Sequence, residues 1–195
     1  MKKMRKQMLL IVVSAFLFIA AGCGQKAEEN QEIPQNAATS EEYSYKEQRK
    51  ESYDFEAESI AGLYRDIYDR AAETGTVGTL EVMRSMVERI GEHGYVVIDE
   101  GNQIDMAGSE QVLDFCGSVD KKQEAELTII VVTGSGGLIK YDLCTADGVV
   151  NVVRGDYQYS NGILENMGRI SYPAESWEYT KEGYLLFEGS YYSES

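Results

Sequence analysis

Four short stretches carry residue types that can do chemistry: EHGY around His93, GSGG at 134–137, DEGNQID at 99–105 and the tripeptide Arg154, Gly155, Asp156. His93 is the single histidine in 195 residues. A catalytic or metal-bound imidazole needs a nucleophile, an orienting acid or further ligands, and no Ser–His–Asp, Cys–His or zinc-type spacing accompanies this one. Its place at the end of a helical pattern predicts a dipole-stabilising role instead. The glycines at 134, 136 and 137 follow a strand pattern as a phosphate loop would. A phosphate loop must open a helix whose N-terminal amides face the anion, whereas LIKYDLC alternates like a strand, so a hairpin turn is expected. DEGNQID is rich in oxygen ligands, but its acids and glycine miss the spacing that wraps a calcium ion, so a solvated hairpin tip is expected and no metal. The Arg154, Gly155, Asp156 tripeptide could serve adhesion. It falls within a strand pattern, so Gly155 is expected as a bulge or bend residue.

The aromatic residues give the most suggestive pattern. Tyr157 and Tyr159 share one strand face by alternation, as do Trp177 and Tyr179, with Tyr172, Tyr184, Phe187, Tyr191 and Tyr192 near them in sequence. Such rings would form a platform for a sugar or peptide. The competing reading, cross-strand pairs that hold the sheet to its helices, is preferred.

A last reactive group, Cys23, sits directly behind an apolar run in FLFIAAGCGQ. Lys2, Lys3, Arg5 and Lys6 precede that run with no acid among them, and the run is too short to span a bilayer comfortably. Residues 1–22 therefore read as an export leader. With Ala20, Ala21 and Gly22 leading into Cys23, the segment resembles the lipobox of bacterial lipoproteins, although alanine stands at 20 where leucine is commoner. The resemblance implies a diacylglycerol on the Cys23 sulfur and cleavage just before it. It places the protein on the outer face of the cell membrane, held by acyl chains such as palmitate. The alternative is an ordinary secretory signal with an incidental cysteine. Two or three chains suffice for stable anchoring where one does not.

Without the leader's four bases, 14 basic residues face 33 acidic ones, a net charge of −19. Such a surface repels nucleic acid and anionic headgroups alike. Export would permit a disulfide between Cys116 and Cys144. Cys116 nevertheless lies on an apolar helical stripe that suits a packed thiol, and Cys144 shares strand parity with Lys140 and Asp142. Labelling with and without reductant separates the two.

From 23 to 54 the composition predicts a disordered tether, whose last residues would extend the next helix by a turn or two. From Phe55 to Ser195 a folded domain is expected. Ile60, Leu63, Tyr64, Ile67, Tyr68 and Ala71 recur on one helical face, with Gly75 placed to end it. A second helix buries Leu80, Met83, Met86, Val87 and Ile90, with Thr79 as N-cap and Gly91 or Gly94 as the stop. YVVID and NQIDM suggest a hairpin around Glu100, Gly101 and Asn102. Ser109 would cap a short helix with Val112, Leu113 and Cys116 inward. Six strand patterns follow, and Asp147–Gly148 and Asn161–Gly162 supply the positive φ of tight hairpin turns, so sequential antiparallel pairing is expected over any parallel arrangement. The expected class is α+β, with helices on one face of an antiparallel meander.

GGLIKYDLCTADG and SWEYTKEGYLLFE resemble segments of an uncharacterised family of Gram-positive lipoproteins. The resemblance implies no reaction, ligand or catalytic residue. Its members continue further, so the chain is expected to be a truncated form, with a sheet edge prone to association. The leading expectation is a non-catalytic surface lipoprotein with no cofactor, binding an envelope glycan, peptide or protein partner through the sheet side. The alternative is an enzyme or accessory subunit acting on cell-wall glycan or peptide, its active part beyond residue 195 or built from carboxylates that spacing does not reveal. A solute-binding subunit would need two lobes, more than a domain of this size offers.

Overall fold

The computed structural model describes residues 38–180 and 185–189, with side chains from residue 53 onward. Cys23, Tyr184, Tyr191 and Tyr192 lie outside the described residues. The first helix, α1 (Ala38–Thr74), begins well before Phe55 and takes in much of the stretch expected as tether. That stretch lacks aliphatic residues, yet its Glu, Lys, Gln and Arg are good helix formers and neither glycine nor proline interrupts it. Downstream α1 buries Ala57, Ile60, Ala61, Tyr64 and Ala71, and Gly75 leaves the helix at φ +66°. Helix α2 (Leu80–Glu92) buries Met83, Met86, Val87 and Ile90 as the periodicity requires, while Leu80 stays partly in solvent. The stop is Gly94 at φ +88°; Gly91 lies inside the helix, where a Cβ would sit 2.6 Å from that of Ala107.

Strand β1 (Val96–Asp99) and helix α3 (Ser109–Asp120) follow, and then β2 (Ala125–Val132), which pairs with β1 in parallel. The expected hairpin after β1 shrinks to one bridge between Val97 and Ala107, and the purely antiparallel expectation gives way to a mixed sheet. All four residues of β1 are buried, as in strands covered on both faces, and such a run carries no alternation from which to read its pairing. Ser109 opens α3 rather than capping it, with Gly108 before it at φ +71°, and Phe115 takes the core position expected for Leu113.

Strands β3 (Leu138–Ala146), β4 (Val149–Ser160) and β5 (Ile163–Pro173) add sequentially and antiparallel, completing the order β1-β2-β3-β4-β5. Asp147 and Gly148 have φ of 53° and 82°, Asn161 and Gly162 of 51° and 75°, as the two hairpin turns demand. The GSGG segment is also a hairpin turn, with Gly136 at φ +82° against the Tyr68 ring. A separate hairpin of β6 (Ser176–Tyr179) and β7 (Leu185–Glu188) completes the α+β domain.

The sheet has a helix layer on each face, not on one. Helices α1 and α2 cover the face bearing Val97, Ile130, Val132, Leu138 and Tyr157. Helix α3 and the β6–β7 hairpin cover the other, with Phe115, Val119, Leu143, Val152 and Phe187 at its centre. No helix among the described residues is long and apolar enough to cross a membrane.

Candidate functional site

The chemically endowed side chains gather on the α1 face, where strand alternation sets them in rows. Lys140 on β3, Gly155 on β4 and Arg169 on β5 are register partners and form one such row. Lys140 is only 2 % exposed, unusual for a lysine unless it is paired. It is paired twice: its Nζ lies 2.5 Å from Asp142 Oδ2 and 2.8 Å from Glu56 Oε2 on α1. Asp142 shares its face by the two-residue strand period, and its other oxygen accepts from Thr128 Oγ1 at 2.8 Å.

Arg169 meets α1 two residues earlier. Its Nη2 donates to Asp54 Oδ1 at 2.6 Å, and the same oxygen accepts from Asn166 Nδ2 at 2.7 Å and from the Tyr157 hydroxyl at 3.1 Å. Three donors from two strands thus converge on one carboxylate oxygen. The Tyr53 ring lies 5.1 Å from Lys140 Nζ and 4.8 Å from the Arg169 guanidinium carbon, a cation–π arrangement with both.

Two local devices aim these groups. The β4–β5 register shifts between Asp156 and Tyr157, so Asn166 pairs with Tyr157 while Gly168 pairs with Asp156, leaving Met167 as the extra residue. That bulge turns Asn166 to the same face as Arg169, three positions on, where strict alternation would oppose them. Gly155 makes room for the tyrosine: a Cβ there would stand 2.8 Å from the Tyr157 ring. Gly155 is therefore a close-approach glycine and not the bulge itself. Burial pushes the Tyr157 phenol above its ordinary range, against the opposing pull of the Arg169 guanidinium, so the hydroxyl keeps its proton to donate.

A second feature lies at the carboxyl ends of the parallel pair β1 and β2. A cleft of about 350 Å³ opens there between Gly78, Leu80, Met83, Glu100, Gln103 and Gly134. Its acids are already oriented by backbone: Asp99 accepts from the amides of Gln103 and Ile104 at 2.8–3.0 Å, and Glu100 Oε2 from that of Gly134 at 3.1 Å. Clefts outside the carboxyl ends of parallel strands are where open α/β sheets place ligands.

Residues 50–195 match the profile of DUF6070, a family of unknown function. The chain belongs to that family. No curated protein and no solved structure matches it. The matched span of this DUF6070 protein contains both segments that carried the family resemblance, and it contains the charged rows and the cleft.

The sequence-derived candidates distribute differently from their expected grouping. Tyr157 and Tyr159 both face α1, Tyr159 stacked on Tyr68 at 4.0 Å and edge-on to Tyr64 at 6.5 Å. Trp177 and Tyr179 pack on the opposite layer with Phe187. The four rings therefore do not make one platform; the sheet separates the pairs. Cys116 and Cys144 are free thiols. Cys116 packs with Tyr141 and Leu143, and Cys144 alternates with those residues toward the other face, so the sheet lies between the sulfurs. His93 is the C-cap of α2, its Nδ1 2.9 Å from the Arg89 carbonyl oxygen. Arg154 and Asp156 pair with each other at 2.7 Å on their strand, beside Tyr141. The residues that sequence reasoning passed over are Asp54, Glu56, Lys140, Asp142, Asn166 and Arg169. The one available signal was Lys140 and Asp142, opposite charges two apart on a strand flanked by apolar residues.

Proposed function

We propose that this DUF6070 protein is a lipid-anchored extracytoplasmic binding module that does not turn over its ligand. The anchor rests on the leader and on the position of Cys23 behind it. The binding role is carried by the cleft at the ends of β1 and β2, where segments from the α1–α2 connection, the β1–α3 loop and the β2–β3 turn converge. Leu80 and Met83 give it an apolar wall, and Gln103 with the backbone-oriented acids gives it polar edges. That combination suits a small ligand with an apolar part and hydrogen-bond donors, such as a cell-wall peptide or amino sugar. Oriented acids already engaged with backbone amides serve recognition better than proton transfer.

Two measurements test this. Intact-mass analysis of membrane-extracted protein is expected to find a chain starting at a diacylglyceryl-modified Cys23, and a Cys23→Ser variant is expected in the medium; an unmodified Cys23 in the native product refutes the anchor. Equilibrium dialysis of soluble cell-wall fragments is expected to show saturable binding that Leu80→Glu with Gln103→Ala abolishes. Binding untouched by those substitutions, or chemical conversion of the fragment, refutes the binding reading.

A further inference from the structure

We propose that the row Arg169, Asn166, Tyr157 and Lys140 is a carboxylate-binding cradle, distinct from the cleft, and that Asp54 and Glu56 of α1 occupy it as an intramolecular plug. The donor set is what a carboxylate ligand requires. One oxygen receives a charged and two neutral hydrogen bonds at 2.6, 2.7 and 3.1 Å, and a second acid meets the buried ammonium at 2.8 Å. The sheet itself supplies Lys140, Arg169 and Asp142, one positive charge in excess, and α1 supplies the two negative charges that cover it.

The plug is built to move. Among the described side chains of α1, burial in the core begins at Ala57; before it, Tyr53, Asp54 and Glu56 are only partly covered and Phe55 is 74 % exposed. Tyr53, Asp54 and Glu56 hold to the sheet through ion pairs, hydrogen bonds and ring–cation contacts, with no buried apolar side chain among them. On the helix side Glu56 and Asp54 stay 42 % and 36 % exposed, so water can replace their contacts, and segments held in this way open locally below the cost of global unfolding. When the turn lifts, Lys140 and Arg169 stand two strand spacings apart, roughly 10 Å, with Gly155 between them. An acidic peptide offering two carboxylates matches that span, whereas a single carboxylate fills only the Arg169 half.

The test uses the mature chain with Cys23→Ser, probed by tri-glutamate and by acetate. The Asp54→Ala/Glu56→Ala variant is expected to bind tri-glutamate about tenfold more tightly than the parent, because the competing internal ligand is gone, and more tightly than it binds acetate. Adding Arg169→Gln is expected to reverse the gain. A charge-matched control, Glu58→Ala/Glu73→Ala, alters exposed acids elsewhere on α1 and is expected to leave binding near the parent's. Equal tightening in the control, or a gain that survives Arg169→Gln, overturns the proposal; acetate binding as well as tri-glutamate reduces the cradle to a single-carboxylate site and overturns the two-point ligand. Should the double variant not fold, hydrogen exchange on the parent decides. Tri-glutamate is expected to speed exchange of the amides at 53–56 relative to chloride of equal ionic strength, and identical rates overturn the plug.

Discussion

The two faces of the sheet are held by different forces. Beneath α3 and the β6–β7 hairpin the contact is apolar, with Phe115, Val119, Leu143, Val152 and Phe187 interlocked, and burial acts without direction or salt dependence. Beneath α1, among the described side chains, the buried apolar contact reaches back to Ala57, and before it Glu56, Asp54 and Tyr53 grip Lys140 and Arg169. The first arrangement fixes a layer permanently. The second fixes direction and register while leaving residues 53–56 held by polar and ring–cation contacts alone.

Four substitutions and an alkaline titration probe this contrast. Phe115→Ala is expected to cost about 3–5 kcal/mol in urea unfolding, the same at low and high salt, because it removes a fully packed ring. A salt-dependent loss there would erase the distinction between the faces. Lys140→Ala is expected to cost about 2–3 kcal/mol, since it leaves Asp142 and Glu56 without their cation. Lys140→Met refills the volume but leaves the same two acids unpaired, so it is expected to recover only the packing share of that loss, and a methionine variant as stable as the parent would show that the charge contributes little to the fold. Gly155→Ala is expected to cost about 1–3 kcal/mol by crowding the Tyr157 ring, with exchange at 53–56 accelerated as the cradle distorts.

The last effect is alkaline and draws on both faces, because burial also raises the phenols of Tyr64, Tyr157 and Tyr159 on the α1 side. Burial pushes the Cys116 thiol from 9.0 up to about 11 and the Tyr141 phenol from 10.0 up to about 12. Both groups hold their protons more tightly folded than unfolded. Their contribution is therefore complete below about pH 9 and is lost as pH rises through 9 to 12, which urea midpoints across that range would show. At pH 8 the same shift makes Cys116 slow toward a thiol reagent, while exposed Cys144 reacts readily. Equal rates would mean that the α3 layer opens readily to solvent.

Much of the architecture was legible where chemistry is local. Asp147–Gly148 and Asn161–Gly162 announced their turns because positive φ is a property of two residues, and the inward faces of α1 and α2 followed from helical period. The parallel β1–β2 pair was hidden because Val96 to Asp99 is buried on both faces, and its partner lies beyond α3. The start of α1 at Ala38 was hidden because low apolar content and good helix propensity pointed opposite ways. Asp54 and Arg169 were invisible for a simpler reason. Residues 115 positions apart meet only after β5 has folded back across the sheet, and nothing near either one encodes the other. Trp177 and Tyr159 looked alike in sequence because alternation defines a strand's two faces without saying which layer each will meet.

The extra residue at Met167 has a further effect, at the rim of the molecule. β5 is the outermost strand of the five, with no strand on its far side among the described residues, and its backbone is an open template for a neighbour's. Because the chain gains a residue between Asn166 and Gly168, an incoming strand that matched one half of β5 would fall out of step with the other. The kink that turns the Asn166 amide toward α1 thus disfavours strand pairing between copies along β5.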